Sequence, residues 1–349
     1  MESKNFHNKK ILFFSVKLFN YENIIANKLR SLGASVDYFD ERPNNSIFAK
    51  GIIRLKRDLY NVKILKHYNG ILKDIENKKY DYFFLIKGEV VPQYFIDKIV
   101  QLNPGIILLY YTFDSFENNP NGIEILKNFD RKYTFDSKDS QVYNLSFRPL
   151  FFSDDYYKLN NESKMEYDLL FIGTAHSDRY VISENTSKWC ANNNLKNFTF
   201  YYSPSRIVFL FFKLFDSSFK KFKYSKISFF SLQHEQIIDL YKRSKVILDI
   251  NHPNQKGLTM RVFEALGSGK KLITTNLEIK KYPFYNENNI YVIDRSNINL
   301  NYEFFDKPFI DINENLYHRM SISGWLEELF FSENDFDWLN SESNAFSNE

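Results

Sequence analysis

Cysteine occurs once in the 349 residues, as Cys190, which excludes an internal disulfide framework and any cysteine-built metal cluster. The lone thiol fits a reducing compartment, and its expected role is that of a small packing residue. Nowhere do eighteen or more apolar residues run consecutively, so no transmembrane helix is expected and the chain at most lies on a bilayer. No secretory leader is expected either. The opening residues MESKNFHNKK are polar, and the apolar run ILFFSV behind them is short and leads into a polar helical pattern, the signature of a buried strand. The expected location is the cytoplasm.

Basic residues are absent from the last eighteen positions, Ser332 to Glu349, which hold five acids. The formal net charge is +3, so the remainder of the chain carries +8. A basic body suits an anionic ligand or surface, but charge this diffuse does not indicate nucleic acid. The tail is expected to be disordered. Elsewhere the hydrophobic content of 44%, with 36 Phe and 24 Tyr, is ample for globular cores.

A chain of this length is expected to form two domains. KKILFFSV reads as a strand, NYENIIANKLRSLG as an amphipathic helix closed by Gly33, and ASVDYFD as a second strand, a βαβ opening. YDYFFLIKGE and GIILLYYTFD add buried strands with the helix VPQYFIDKIVQLN between them, and RKYTFDSKD and SFRPLFFSD add shorter ones. After the polar stretch KLNNESKMEY the pattern restarts with DLLFIGTAHSDR, FTFYYS, the helix SLQHEQIIDLYKRS, the strand KVILDINHP and later NIYVID. Apolar strands alternating with helices predict an α/β fold of two doubly wound, Rossmann-like domains, with a ligand cleft facing the strand C-termini. The expected division is 1–160, then 161–312 with an insertion at 205–231, a terminal helix at 313–331 packing across both domains, and the tail 332–349.

The densest chemistry is in GLTMRVFEALGSGKKLITTN, residues 257–276. Thr259 can cap a helix whose free N–H groups and positive dipole end would receive phosphate. Arg261 in its first turn can add a charge-assisted bond, and Glu264, one turn on, can accept from ribose hydroxyls. Gly267 and Gly269 would end the helix. On an isolated helix Arg261 and Glu264 would read as an exposed i,i+3 pair; the order of the surrounding elements favours the ligand reading. FIGTAHSDR repeats the theme: Gly173, followed by Thr174, would let the backbone approach a phosphate that Arg179 neutralises, and His176 is either a loop-capping or a catalytic residue. Asn251 and His252, after ILDI, are placed to line the same pocket.

The segments FIGTAHSDR, SKVILDIN and TMRVFEALGSGKKLITTN resemble the donor-binding region of GT-B glycosyltransferases. They are more closely similar to bacterial capsule and lipopolysaccharide glycosyltransferases with a CgeB-like C-terminal domain, over residues 167 to about 295. The resemblance implies a nucleoside diphosphate sugar bound by the second domain and an acceptor bound mainly by the first, with no metal and no other cofactor. By position, Glu264 would hold the ribose, while Arg261, Arg179 and the helix N-terminus would hold the diphosphate, with Gly257 in the approach loop. Lys256, eight residues before Glu264, stands where retaining members place their first Glu, so the resemblance leaves the stereochemical outcome open.

An inverting transfer needs a base within hydrogen-bond reach of the acceptor hydroxyl. Glu89 in IKGE and Asp114 in YYTFD follow strands of the first domain and are the candidates, each otherwise a capping or ion-paired loop carboxylate. Residues 206–226 hold six basic residues against Asp216, interleaved with seven aromatics. That pattern reads equally as an interfacial helix on an anionic membrane or as an insertion whose Phe side chains pack inward. The resulting expectation is transfer of a sugar to a capsule or lipopolysaccharide glycan, free or lipid-linked, at the inner face of the membrane. The alternatives are a nucleotide-sugar epimerase of the same architecture and a noncatalytic sugar-nucleotide-binding subunit.

Overall fold

The computed structural model describes residues 5–159, 164–215, 219–253, 255–331 and 336–339. The expected disordered tail, 332–349, lies almost wholly outside them. Two units divide at Pro149 and Leu150, and the chain returns to the first at Ile322 (Met1–Pro149 with Ile322–Phe336; Leu150–Ser321 with Asp337–Glu349).

In the first unit the order is β1 (Lys10–Ser15), α1 (Tyr21–Ser31), β2 (Ser35–Asp40), α2 (Ile47–Lys56), α3 (Asn61–Ile75), β3 (Tyr82–Ile86), α4 (Gln93–Leu102), β4 (Ile107–Thr112), β5 (Arg131–Thr134), α5 (Ser137–Tyr143) and β6 (Ser146–Phe147). All six strands are parallel, in the order β2-β1-β3-β4-β5-β6. Helices cover both faces of such a sheet, which is why β1, β3 and β4 read as unbroken apolar runs. On one face Phe14 meets Phe95 of α4 at 5.3 Å between ring centres, and Tyr68 of α3 meets Phe95 at 4.8 Å. On the other, Phe84 meets Trp325 at 6.1 Å and Phe330 at 5.3 Å, both supplied by the returning segment. A wholly buried Arg148 ties that segment down through a 2.9 Å ion pair with Glu328.

The second unit runs β7 (Tyr167–Thr174), α6 (Arg179–Asn192), β8 (Asn197–Tyr202), α7 (Arg206–Phe215), β9 (Ile227–Ser228), α8 (His234–Lys242), β10 (Ser244–Asp249), α9 (Met260–Gly267), β11 (Lys271–Thr274), β12 (Ile290–Val292), α10 (Tyr302–Asp306) and α11 (Glu314–Met320). Its strands are again all parallel, in the order β12-β11-β10-β7-β8-β9. Cys190 is fully buried in this unit's core.

The single terminal helix expected at 313–331 is two helices. It breaks at Ser321, beyond which α12 (Ile322–Phe331) belongs to the first unit and carries Trp325 and Phe330. The division at Pro149 also precedes the expected residue 160, because Leu150, Phe151 and Phe152, read with SFRPLFFSD as part of the first domain, are buried residues of the second unit.

Candidate functional site

The second sheet changes direction between β7 and β10. From β7 the chain builds outward through β8 and β9, then returns to lay β10, β11 and β12 on the other side. Loops leaving two such strands at their C-terminal ends turn apart and open a crevice, the usual ligand position in doubly wound sheets. A cavity of about 520 Å³ lies there, lined by Thr174 at the end of β7, His176 and Asp178 after it, Ser203 after β8, Phe212 of α7 and His252 after β10.

Three arginines converge on this crevice. Arg179, the first residue of α6, donates through Nε to the Ile250 carbonyl at 2.8 Å and through a terminal nitrogen to the Thr174 carbonyl at 3.2 Å, pinning the β7 and β10 loops together. Arg261, in the first turn of α9, pairs with Asp249 at 3.3 Å. Arg295, in the loop after β12, donates to both Asp178 carboxylate oxygens at 2.8 Å and to the Asn251 carbonyl at 2.6 Å. Burial and the Arg261 charge hold the Arg179 guanidinium down to about 9. Burial, then Arg179, His252, Arg261 and Arg295, hold the His176 imidazole down to about 3. His176 is therefore a neutral group at physiological pH, set near three arginines of which Arg261 and Arg295 are ion-paired, with its ring 5.8 Å from that of His252 and Nδ1 3.0 Å from the Ser177 hydroxyl.

The residues expected to bind separate into two groups. Thr174, His176 and His252 line the cavity, while Gly173, Arg179, Asn251, Lys256, Gly257, Thr259, Arg261 and Glu264 lie outside its lining. Gly173 is the seventh residue of β7, and a Cβ there would fall 2.7 Å from the Phe171 ring, so its absent side chain makes room for that ring. Thr259 does stand at the start of α9, but its hydroxyl makes no cap; it donates to Asp249 at 2.7 Å. Asn251 is buried and accepts from the Thr275 hydroxyl at 2.7 Å, which makes it a brace for the loop. The carbonyls of Lys256 and Gly257 accept from Asn276 at 3.0 and 3.4 Å, while the Lys256 residue is exposed. Glu264 is 9% exposed one turn into α9 and accepts from the Tyr241 hydroxyl at 3.4 Å. Gly267 admits the Phe152 ring, and Gly269, at φ 68°, ends the helix in the left-handed region.

Sequence reasoning missed Asp249 and Arg295. Asp249 closes the apolar strand KVILD, yet it is fully buried and gathers the Thr259 hydroxyl, the Thr274 hydroxyl at 3.0 Å and Arg261. A carboxylate at the end of an apolar strand was the available signal. For Arg295, 44 residues from its partner Asn251, the local sequence held none.

In the first unit Glu89 and Asp114 share one cation: Lys87 Nζ lies 3.6 Å from Glu89 and 3.5 Å from Asp114. Their surroundings differ. Glu89 is 2% exposed and also ion-paired to buried Arg42, whereas the Asp114 side chain keeps 30% of its surface. Glu41 accepts from the backbone N–H groups of Gly88 and Glu89 at 3.0 and 2.7 Å, and burial and the Glu89 charge push its carboxyl up to about 8. These bonds hold Lys87 and Gly88 at φ 87° and 65°.

Segment 206–226 divides between buried and exposed apolar side chains. Phe209, Phe219 and Phe222 are buried in the unit's core, while Ile207, Leu210, Phe211, Leu214 and Phe215 on α7 are exposed. Asp216 lies outside the described residues. Among the described residues no helix is long and apolar enough to cross a membrane.

No family model matches the sequence, and no curated protein matches it. Solved structures do. The Anabaena protein Alr3699/HepE, crystallised with UDP and glucose, is similar over 92% of this chain and 99% of its own, with a TM-score of 0.54 at 9% identity. A protein from Listeria monocytogenes described as a UDP-N-acetylglucosamine 2-epimerase covers 94% and 99% with a TM-score of 0.49 at 8% identity. The catalytic domain of Starch Synthase IV from Arabidopsis thaliana, bound to ADP and acarbose, covers 94% and 96% with a TM-score of 0.47 at 7% identity. At these identities the likeness is one of fold, and the fold of this chain is the two-domain α/β arrangement of GT-B proteins.

Proposed function

We propose that the chain is a glycosyltransferase that takes a sugar from a nucleoside diphosphate donor held at the β7/β10 crevice and passes it to a glycan of the cell surface, of capsule or lipopolysaccharide type. The observation that carries this reading is the convergence of Arg179, Arg261 and Arg295 on the His176 loop beside a cavity of about 520 Å³. A diphosphate is an anion that such an arginine cluster suits, and charge neutralisation of the departing diphosphate by fixed arginines is a sufficient electrostatic device without a metal. Glu264, deeper along α9, is assigned to the ribose. HepE, with UDP and glucose bound, is consistent with this donor class.

The acceptor is assigned to the first unit, with Asp114 as the base. Glu89, locked between Arg42 and Lys87, is instead a structural anion. A lipid-linked glycan acceptor would bring the chain to the inner membrane face, where the exposed apolar side of α7, with Lys220, Lys221 and Lys223 behind it, would dip into an anionic bilayer. The test is a thermal-shift panel of UDP-, GDP-, dTDP- and CMP-linked sugars: a donor at 100 times its dissociation constant adds about 2.7 kcal/mol of stability. One class should stand out, and its slow hydrolysis should follow. Recovery of an epimerised nucleotide sugar would point to the epimerase instead, and no stabilisation by any of the four would remove the donor-site reading.

A further inference from the structure

A second basic and apolar surface lies in the first unit, on elements that play no part in the crevice. Residues 48–66 hold Lys50, Arg54, Lys56, Arg57, Lys63 and Lys66 against Asp58 alone. They span α2, a short 3₁₀ turn at Arg57–Tyr60 and the start of α3. The apolar side chains of this segment divide by direction. Ala49, Ile53, Tyr60 and Ile64 join the core of the unit, while Phe48, Leu59, Val62 and Leu65 point outward at 77%, 75%, 82% and 44% exposure.

Four large apolar groups within eighteen residues face water here, and single scattered exposures do not account for such a cluster. Lys56, Lys63 and Lys66 are exposed among them, with Lys63 Nζ 4.8 Å from the centre of the Tyr60 ring. Arg57 is already matched by Glu124 at 2.6 Å. Beside the patch a groove of about 670 Å³ is lined by Tyr60, Lys63, Lys66, His67, Asn44 and Asp74.

We infer that the α2–α3 surface docks on an anionic bilayer, its four apolar side chains entering the interface and its lysines meeting lipid phosphates. The choice of occupant rests on charge complementarity. A protein partner or a second copy would bury the apolar groups equally well, but a self-association face presenting exposed Lys56, Lys63 and Lys66 against Asp58 and Asp74 keeps a net positive charge and would repel itself. An anionic membrane satisfies both features at once. The inference does not require the donor assignment, since the patch and the crevice share no residue.

The test is flotation of the purified full chain with vesicles of phosphatidylcholine alone and of equal parts phosphatidylcholine and phosphatidylglycerol. The wild type should partition to the anionic vesicles and be released at about 0.5 M salt. The double variant K63E/K66E should lose about 25-fold in partition, about fivefold for each lysine taken off the surface. Val62→Glu with Leu59→Glu should lose binding, whereas K63R/K66R should keep it. Wild-type melting temperatures for these exposed substitutions would show that folding is intact. Unchanged partition of both the charge-reversed and the V62E/L59E chains would overturn the inference, as would absence of wild-type binding. So would a concentration-dependent dimer abolished by V62E, which would give the surface to a second copy. Unaltered donor-induced thermal shifts in all three double variants keep this outcome separate from the fate of the glycosyltransferase reading.

Discussion

Arg261 and Asp249 form an ion pair at 3.3 Å in which the carboxylate is wholly buried and the guanidinium keeps 19% of its surface. The buried partner has no route to water, so the pair is anchored at one end and presents its charge at the other. Because Asp249 also accepts from Thr259 and Thr274, it fixes the entry of α9 to the ends of β10 and β11.

Removal of that anchor should cost stability first. Asp249→Ala leaves a cation and two hydroxyls without their acceptor, with an expected loss of about 3 kcal/mol in urea denaturation. Asp249→Asn, which retains an acceptor oxygen, should lose less.

His176 gives the pH dependence. Its imidazole sits at about 3 in the folded chain against an ordinary 6.5, so the unfolded chain binds more protons between those values. Stability from this group is full above 6.5 and declines as the pH falls toward 3. His176→Gln should therefore lose less stability than the wild type between pH 7 and pH 4, read from urea midpoints at each pH.

The two candidate bases should part company. Asp114→Asn is expected to lower kcat by about 10²- to 10⁴-fold with donor affinity and melting temperature near wild type. Glu89→Gln, which leaves Arg42 buried without its anion, should instead lower the melting temperature. The reverse pattern would exchange their roles.

Gly267 tests the packing behind the site. A Cβ at this position would lie 2.4 Å from the Phe152 ring, itself fully buried. Gly267→Ala should destabilise by about 1–3 kcal/mol despite the better helix propensity of alanine, and Phe152→Leu in the same chain should recover part of that loss.

Much of this was readable from the sequence because parallel strands covered on both faces must be apolar throughout: FFLI and LLYY allow few other readings. The restart at DLLFIG was legible for the same reason, and α9 with Arg261 and Glu264 from Thr259 ahead of it and Gly267 and Gly269 at its end. Helices α2 and α3 were not read, although Ile64, Tyr68, Ile71 and Ile75 follow a helical period, because Gly51 and Gly70 interrupt them and exposed Leu59, Val62 and Leu65 blur the apolar stripe. Within the site, sequence placed charges on loops but not their partners. Thr259 looked like a cap and serves Asp249; Gly173 looked like a phosphate approach and makes room for Phe171; Arg295 became a site residue only through the fold of the chain.

The central claim is that the β7/β10 crevice holds the diphosphate of a sugar nucleotide. Its most direct test is calorimetric titration of the donor found in the thermal-shift panel into the wild type, Arg261→Ala and Glu264→Ala. Each substitution should weaken binding by about 10- to 100-fold, the value of a hydrogen bond to a charged group, while the circular dichroism spectrum stays unchanged. Wild-type affinity in both variants would contradict the account.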